Sequence, residues 1–401
     1  MTRGRTTVVA ALGATQTLAW ASSYYLPAIL ADPIAAATGL SRTEFFAIFS
    51  AALLLSAALG PAIGRRIDRH GGRGVLIASN LFLAAGLAAL AAARGPLGVA
   101  AAWVLLGIGM AAGLYDAGFA ALAALYGGSA RSAITGITLI AGFASTVGWP
   151  TSALLDASLG WRGTCLAWAA LHLAVGLPMN RWLIPAATAR EAAPAAAEPE
   201  AGEAPRGAMA LLAFVFAATW FVTGAMAAHL PRLFEAAGAP PAAAIAAAAL
   251  VGPAQVGARF VEFSLLRRIH PLGSARAAAL LHPLAAVALA LLGPSGIAAF
   301  ALLHGAGNGM LTIAKGTLPL ALFGPVGYGL RSGLLSAPAR AAQAASPLLF
   351  GYLLDRMGQG ATAVSAGLSL AALAALLMLK PRRAPRPAAL SLSPSPKRKS
   401  A

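Results

Sequence analysis

The stretch Gly64-Arg65-Arg66-Ile67-Asp68-Arg69-His70-Gly71-Gly72-Arg73 packs charge and glycine between two long apolar runs, in a chain of 401 residues of which only 10% are charged and 59% hydrophobic. Crossing a bilayer takes about 20 apolar residues in a helix. Runs near that length recur outward from the knot in both directions, separated by Gly, Pro or charge clusters. They fall at 8–30, 44–64, 74–93, 97–125, 130–155, 160–184, 207–230, 242–264, 275–293, 296–322, 330–354 and 360–380. Twelve such spans and a mean hydropathy of +0.76 exclude a soluble globular protein. The first run follows Arg3 and Arg5, but it is too long and too rich in Gln, Trp and Tyr for a cleaved signal peptide, so it reads as a retained helix.

The net charge of +17 points to nucleic acid in a soluble protein, but here the basic residues punctuate apolar spans and form no single patch. One set of connections holds Arg65, Arg66, Arg69, Arg73, Arg131, Arg181, Arg190, Arg206, Arg267, Arg268, Arg276, Arg331 and a tail from Lys380 to Lys399. The other holds Arg42, Arg94, Arg162, Arg232 and Arg356. Positive charge stays on the cytoplasmic side, so both termini are expected there. Residues 185–206, rich in Ala, Pro and Glu, read as a disordered linker between two halves at 1–184 and 207–380, and 381–401 as a disordered basic tail. The single cysteine, Cys165, permits no internal disulfide or cysteine-clustered metal site and reads as a buried thiol. The preference for arginine over lysine and the abundance of alanine suggest a GC-rich bacterial genome, hence an inner membrane.

Gly64, Asp68, Arg69, Gly71 and Arg73 form a G-x-x-x-D-R-x-G pattern with a following base, between the second and third spans. This resembles the signature loop of the major facilitator superfamily, with Gly72 standing where a basic residue is usual. The resemblance implies an all-α integral membrane fold of twelve transmembrane helices in two pseudo-symmetric six-helix bundles, working as a monomer with its solute site between the halves. It also implies that Asp68 opposes the N-terminal end of span eleven, while Arg69 and Arg73 engage carboxylates or lipid, shutting an inside gate. Weak internal repetition agrees with two halves: Leu105, Gly107, Gly109 and Gly118 recur as Leu303, Gly305, Gly307 and Gly316.

Charges inside the hydrocarbon layer cost at least ~2.5 kcal/mol each and call for a partner, a wet cavity or a function. Those here are Asp116, Arg259, Glu262, Lys315 and Arg340, with the less costly His172, His229, His282 and His304. In span ten His304, Asn308, Leu311 and Lys315 share one helical face, read as a cavity-lining stripe or as a buried polar network. Span eleven repeats the theme with Ser336, Arg340 and Gln343, an arginine that suits a planar anion or serves as a gate residue. Asp116 and Lys315 lie at matching depths of spans four and ten. They are expected to form an ion pair between the halves whose breaking couples protons to conformational change. Gln16, Trp20, Ser23 and Tyr24 in span one and Trp149 in span five sit at cavity-lining spacing, with packing as the other reading.

Gln255 and Arg259, one turn apart in span eight, together with the run from Arg131 to Gly160-Trp161-Arg162, resemble the monocarboxylate transporter branch of that superfamily. The resemblance implies that Arg259 anchors a substrate carboxylate beside Gln255, although an acidic residue often stands at the position of Gln255. A competing alignment pairs Glu262 with Asp68 and Arg259 with Arg65, which makes both part of a second gating loop. The three central cations Arg259, Lys315 and Arg340 outnumber the carboxylates Asp116 and Glu262. That balance points to a small organic anion moved with protons, the alternative being proton-driven efflux of a drug-like compound. No clustering of nucleophiles or metal ligands suggests an enzyme, and nothing calls for a cofactor, a metal or nucleic acid.

Overall fold

The computed structural model describes residues 4–186, 207–265 and 269–380. The tail, nearly all of the expected linker, and Arg267 and Arg268 lie outside the described residues. Twelve helical passes cross the molecule, and no strand occurs among the described residues. In the first half they are α1 (Arg5–Ser22, resuming as Pro27–Thr38), α2 (Arg42–His70), α3 (Arg73–Ala92), α4 (Pro96–Gly113, resuming as Tyr115–Tyr126), α5 (Arg131–Ala141, then 144–159) and α6 (161–182). In the second half they are α7 (Ala208–Ala236), α8 (Pro241–Ala249, then Val251–Ser264), α9 (Pro271–Leu292), α10 (Ile297–Phe323), α11 (Tyr328–Met357) and α12 (Ala361–Met378).

Local chemistry sets the boundaries. Pro27, Pro96, Pro241 and Pro271 open helical segments at positions where the missing N–H has no intrahelical partner to lose. Ser41 and Glu44 form a reciprocal capping box at the start of α2. Gly71, at φ +77°, ends α2 with its N–H on the Ile67 carbonyl and turns the chain into α3 within two residues. The first pass runs further than the apolar run 8–30, because the chain breaks after Ser22 and Pro27 restarts the helix.

Apolar side chains cover the outside: Leu97 is 87% exposed, Leu348 80% and Leu291 78%, as suits a surface facing lipid. Both described chain ends lie on one face of the bundle, called the terminal face below. There Arg5 hydrogen-bonds Ser129 and Ser132, and Arg276 donates to the carbonyls of Leu376 and Leu379. Toward this face the two halves pack together, with Leu320 and Tyr328 joining the cluster of Phe119, Ile134 and Ile137.

Without a hydrophobic drive between helices in lipid, small residues let backbones pack closely. α2 crosses α11 at Gly60 and Gly64 against Gly333 and Gly329. A Cβ at Gly64 would overlap the Gly329 carbonyl, and one at Gly333 would stand 2.6 Å from Gly60.

Candidate functional site

The centre of the bundle is built around a break. Leu114 of α4 is extended at φ −83° and ψ −175°, so a helix restarts at Tyr115 and places Asp116 in a first turn, where a carboxylate is favoured by the helix dipole. One Asp116 oxygen stands 2.9 Å from Lys315 Nζ and accepts a hydrogen bond from Ser336 Oγ at 2.8 Å. The other accepts from Arg340 Nη2 at 2.8 Å. Sequence reasoning paired Asp116 with Lys315; the structure adds Arg340, so one carboxylate serves two cations and a net positive charge remains. All three are nearly buried, and Lys315 also lies 5.2 Å from the Trp220 ring centroid.

Arg259 sits apart from this clamp. It is 5% exposed, and its guanidinium reaches the Thr138 carbonyl at 3.3 Å and Gln255 Oε1 and Thr312 Oγ1 at 3.5 Å, all long for hydrogen bonds. Its Nε is buried without a partner, and among the described residues no carboxylate comes within ion-pairing distance. It is close enough to Tyr25 and Tyr115 to act on both phenols electrostatically. Trp20 stacks among Tyr24, Tyr25 and Tyr115 with centroids 5.0 to 5.9 Å apart, and Trp149, 43% exposed, meets the Tyr25 ring edge-on at 5.8 Å. Tyr24 accepts a hydrogen bond from Gln343 of the other half at 2.9 Å.

The residues expected to gate lie at the terminal face. Asp68 accepts from the amides of Gly329 and Leu330 at 2.8 and 2.9 Å, satisfying two first-turn donors of α11. Glu262, at the end of α8, lies 3.6 Å from Arg131 at the start of α5 and keeps one oxygen buried without a partner. The two contacts match across the halves: an acid ending α2 meets α11, and an acid ending α8 meets α5. Gly64 and Gly71 serve the crossing and the turn described above. Arg69 and Arg73, expected to engage carboxylates or lipid, form no ion pair among the described residues.

Two readings that the sequence left open take shape in the structure. Gln16 follows the packing alternative: it is fully buried and donates to the Gly113 carbonyl, an acceptor left at the α4 break. Along the span-ten stripe, His304, Asn308 and Leu311 line one small pocket within the second half, whereas Lys315 turns to the other half, because a single helix face meets different neighbours along its length. His304 contacts His282 of α9, Asn308 accepts from Thr223 of α7, and only Lys315 reaches the other half. Sequence reasoning missed Tyr25, Tyr115, Trp220 and Thr312. Their adjacency to Tyr24 and Asp116, and the four-residue step from Asn308 to Thr312, were the only signals.

A molecule so arranged, two six-helix halves around buried charge, is a membrane transporter. The family model of the Major Facilitator Superfamily matches residues 12–299, and the chain belongs to that superfamily. Comparison with curated proteins returns no match. Among solved structures, the human organic anion transporter MFSD10 (TETRAN) superposes with a TM-score of 0.69 at 18% identity, over 94% of this chain and 100% of that one. FucP in the outward conformation gives 0.74 at 14% identity, over 92% of this chain and 97% of that one. The proton:xylose symporter XylE, bound to 6-bromo-6-deoxy-D-glucose, gives 0.73 at 14% identity, over 94% and 96%. At these identities the likeness concerns the fold.

Proposed function

We propose that this transporter moves a small organic anion, a monocarboxylate being the simplest case, together with protons by alternating access. Arg259 carries the reading: a buried guanidinium with no carboxylate partner and an unbonded Nε costs free energy unless an anion completes it. Arginine offers a planar fork for a carboxylate. Gln255, Tyr25 and Tyr115 supply neighbouring polar groups, and the Trp20 and Trp149 rings a wall for the solute's apolar part.

Asp116 supplies the coupling. A proton on its carboxylate cancels the charge that holds Lys315 and Arg340, and frees both cations to attract the solute. The same event loosens a contact between the halves and shifts their conformational balance. The terminal face, closed by Asp68 and Glu262, is the cytoplasmic side, and the membrane is a bacterial plasma membrane.

A second reading, proton-driven efflux of a drug-like compound, draws support from the aromatic wall of Trp20, Tyr24, Tyr25, Tyr115 and Trp149. One experiment separates the two: thermal shift of the purified protein across small carboxylates and common drug-like compounds, repeated for Arg259→Ala and Arg340→Ala. The anion reading expects stabilisation by carboxylates that the Arg259 variant loses. Stabilisation by drug-like compounds alone overturns it.

A further inference from the structure

The second half contains a polar pocket away from the central site, lined by Thr223 of α7, His282 of α9, His304 and Asn308 of α10 and Ser369 of α12. Its most unusual feature is a pair of buried imidazoles. His282 Nδ1 and His304 Nδ1 stand 3.0 Å apart, and His282 Nε2 lies 3.0 Å from Ser365 Oγ. The rings pack edge to face at 4.9 Å between centroids, with Phe300 against both. Neither histidine exceeds 5% exposure.

Two facing Nδ1 atoms at this distance share one hydrogen: one imidazole donates and the other accepts. Ser365 Oγ gives its hydrogen to the Thr362 carbonyl at 3.0 Å, so His282 Nε2 donates to Ser365, His282 Nδ1 accepts from His304 Nδ1, and His304 Nε2 keeps a lone pair for a second proton, which turns the contact into a stronger, charged N–H···N hydrogen bond. Among the described residues no other charge faces the pair. α7 presents Thr219 and Thr223, α12 presents Ser365 and Ser369, and α10 presents Phe300 and Asn308. Lys315 lies three turns further along α10, committed to Asp116.

We propose that the His282–His304 pair is a proton-binding site of the transport cycle, separate from the Asp116 clamp, whose occupation draws α10 against α9. The inference rests on the proton-coupled reading above. α10 links the site to the centre: Thr312 Oγ1 bonds the Asn308 carbonyl at 2.8 Å and receives the Arg259 guanidinium at 3.5 Å, while Lys315 sits on the next turn. A proton at the histidines thus acts on both the anion anchor and the clamp.

The test needs no solute. Spin labels on the far ends of the two halves, at Leu40→Cys and Gln359→Cys, report their separation in liposomes at about pH 8 and about pH 5. In an Asp116→Asn background the acid-induced change in distance persists, and adding His304→Gln or His282→Gln abolishes it. A change that survives the histidine substitutions overturns the proposal. A change present in the otherwise native chain but absent in Asp116→Asn leaves proton coupling to Asp116 and overturns the histidine site alone; no change in any variant overturns both. A second measurement does not depend on the Asp116 variant: proton uptake by the purified protein across the same pH range, read with an indicator dye, falls by about one proton when either histidine becomes Gln. Unchanged uptake overturns the proposal.

Discussion

Asp68 accepts the Gly329 amide at 2.8 Å, with its second oxygen on Leu330, so a carboxylate of one half caps the helix that opens span eleven of the other. The contact exists only while the terminal face is closed. Hydrogen bonds to a charged group contribute roughly 1.5–3 kcal/mol each, and solvent access to Asp68 places this pair near the low end. Asp68→Ala is expected to shift the balance toward the state open at that face by about 3 kcal/mol, on the order of a hundredfold. Labelling of Leu320→Cys, buried between the halves, by a membrane-impermeant maleimide measures it. Native Cys165 is fully buried and gives little background. An unchanged rate would show that Asp68 does not hold the closed state.

The glycine crossing of α2 and α11 makes an asymmetric prediction. A Cβ at Gly60 would meet Gly333 at 3.6 Å, ordinary contact, whereas one at Gly333 would stand 2.6 Å from the Gly60 carbonyl and one at Gly64 would overlap the Gly329 backbone. Gly60→Ala should therefore be nearly neutral. Gly64→Ala and Gly333→Ala should destabilise the protein by an amount typical of overpacking, about 1–3 kcal/mol, seen as a lower melting temperature, and raise labelling of Leu320→Cys. Equal behaviour of the three variants would contradict the backbone contact.

Asp116 balances two cations, and removing its charge leaves both Lys315 and Arg340 buried without compensation. Asp116→Asn is expected to cost about 3–5 kcal/mol, the range for breaking a buried ion pair. Asp116→Asn combined with Lys315→Met restores the original net charge of the cluster and should recover more than half of the lost stability in a thermal scan. If the double variant is less stable than the single one, Lys315 contributes packing and not charge.

The twelve passes and the central charges were legible because both signals are local: apolar runs of bilayer length, and ionisable residues too costly to be there by accident. Asp116 and Lys315 could be matched in depth because spans four and ten keep a common glycine spacing. What each side chain faces was less legible. His304 and Lys315 share a helical face in sequence, yet one meets α9 and the other crosses to α4, since the crossing angles of neighbours are not written in α10 itself. Gln16 carries the spacing of a cavity residue, but the break at Leu114 supplies the Gly113 carbonyl that captures it. Arg259 and Glu262 stood between two readings for the same reason. The contacts with Thr138 and Arg131 come from α5, more than a hundred residues away.

His270 lies between α8 and α9, outside the membrane-crossing segments, and its Nδ1 accepts the Leu272 amide at 3.2 Å as the cap of α9. Burial, followed by the positive charges of Arg131 and Arg276, lowers its pKa from the ordinary 6.5. Protonation would also remove the lone pair that caps the helix. The sign follows from linkage: above the unfolded value both states are neutral and nothing is lost. As pH falls below about 6.5 the unfolded chain binds a proton that the folded one resists, and stability declines until the lowered folded pKa is passed. His270→Asn keeps a capping acceptor that does not titrate. Melting temperatures of the two proteins should coincide above about pH 7 and diverge below it, with the Asn variant the more stable in acid. Because the imidazole is substantially exposed, the divergence should be small, and it should grow at low salt, where the charges of Arg131 and Arg276 are less screened and hold the folded pKa lower. Parallel pH profiles would show that the cap survives protonation.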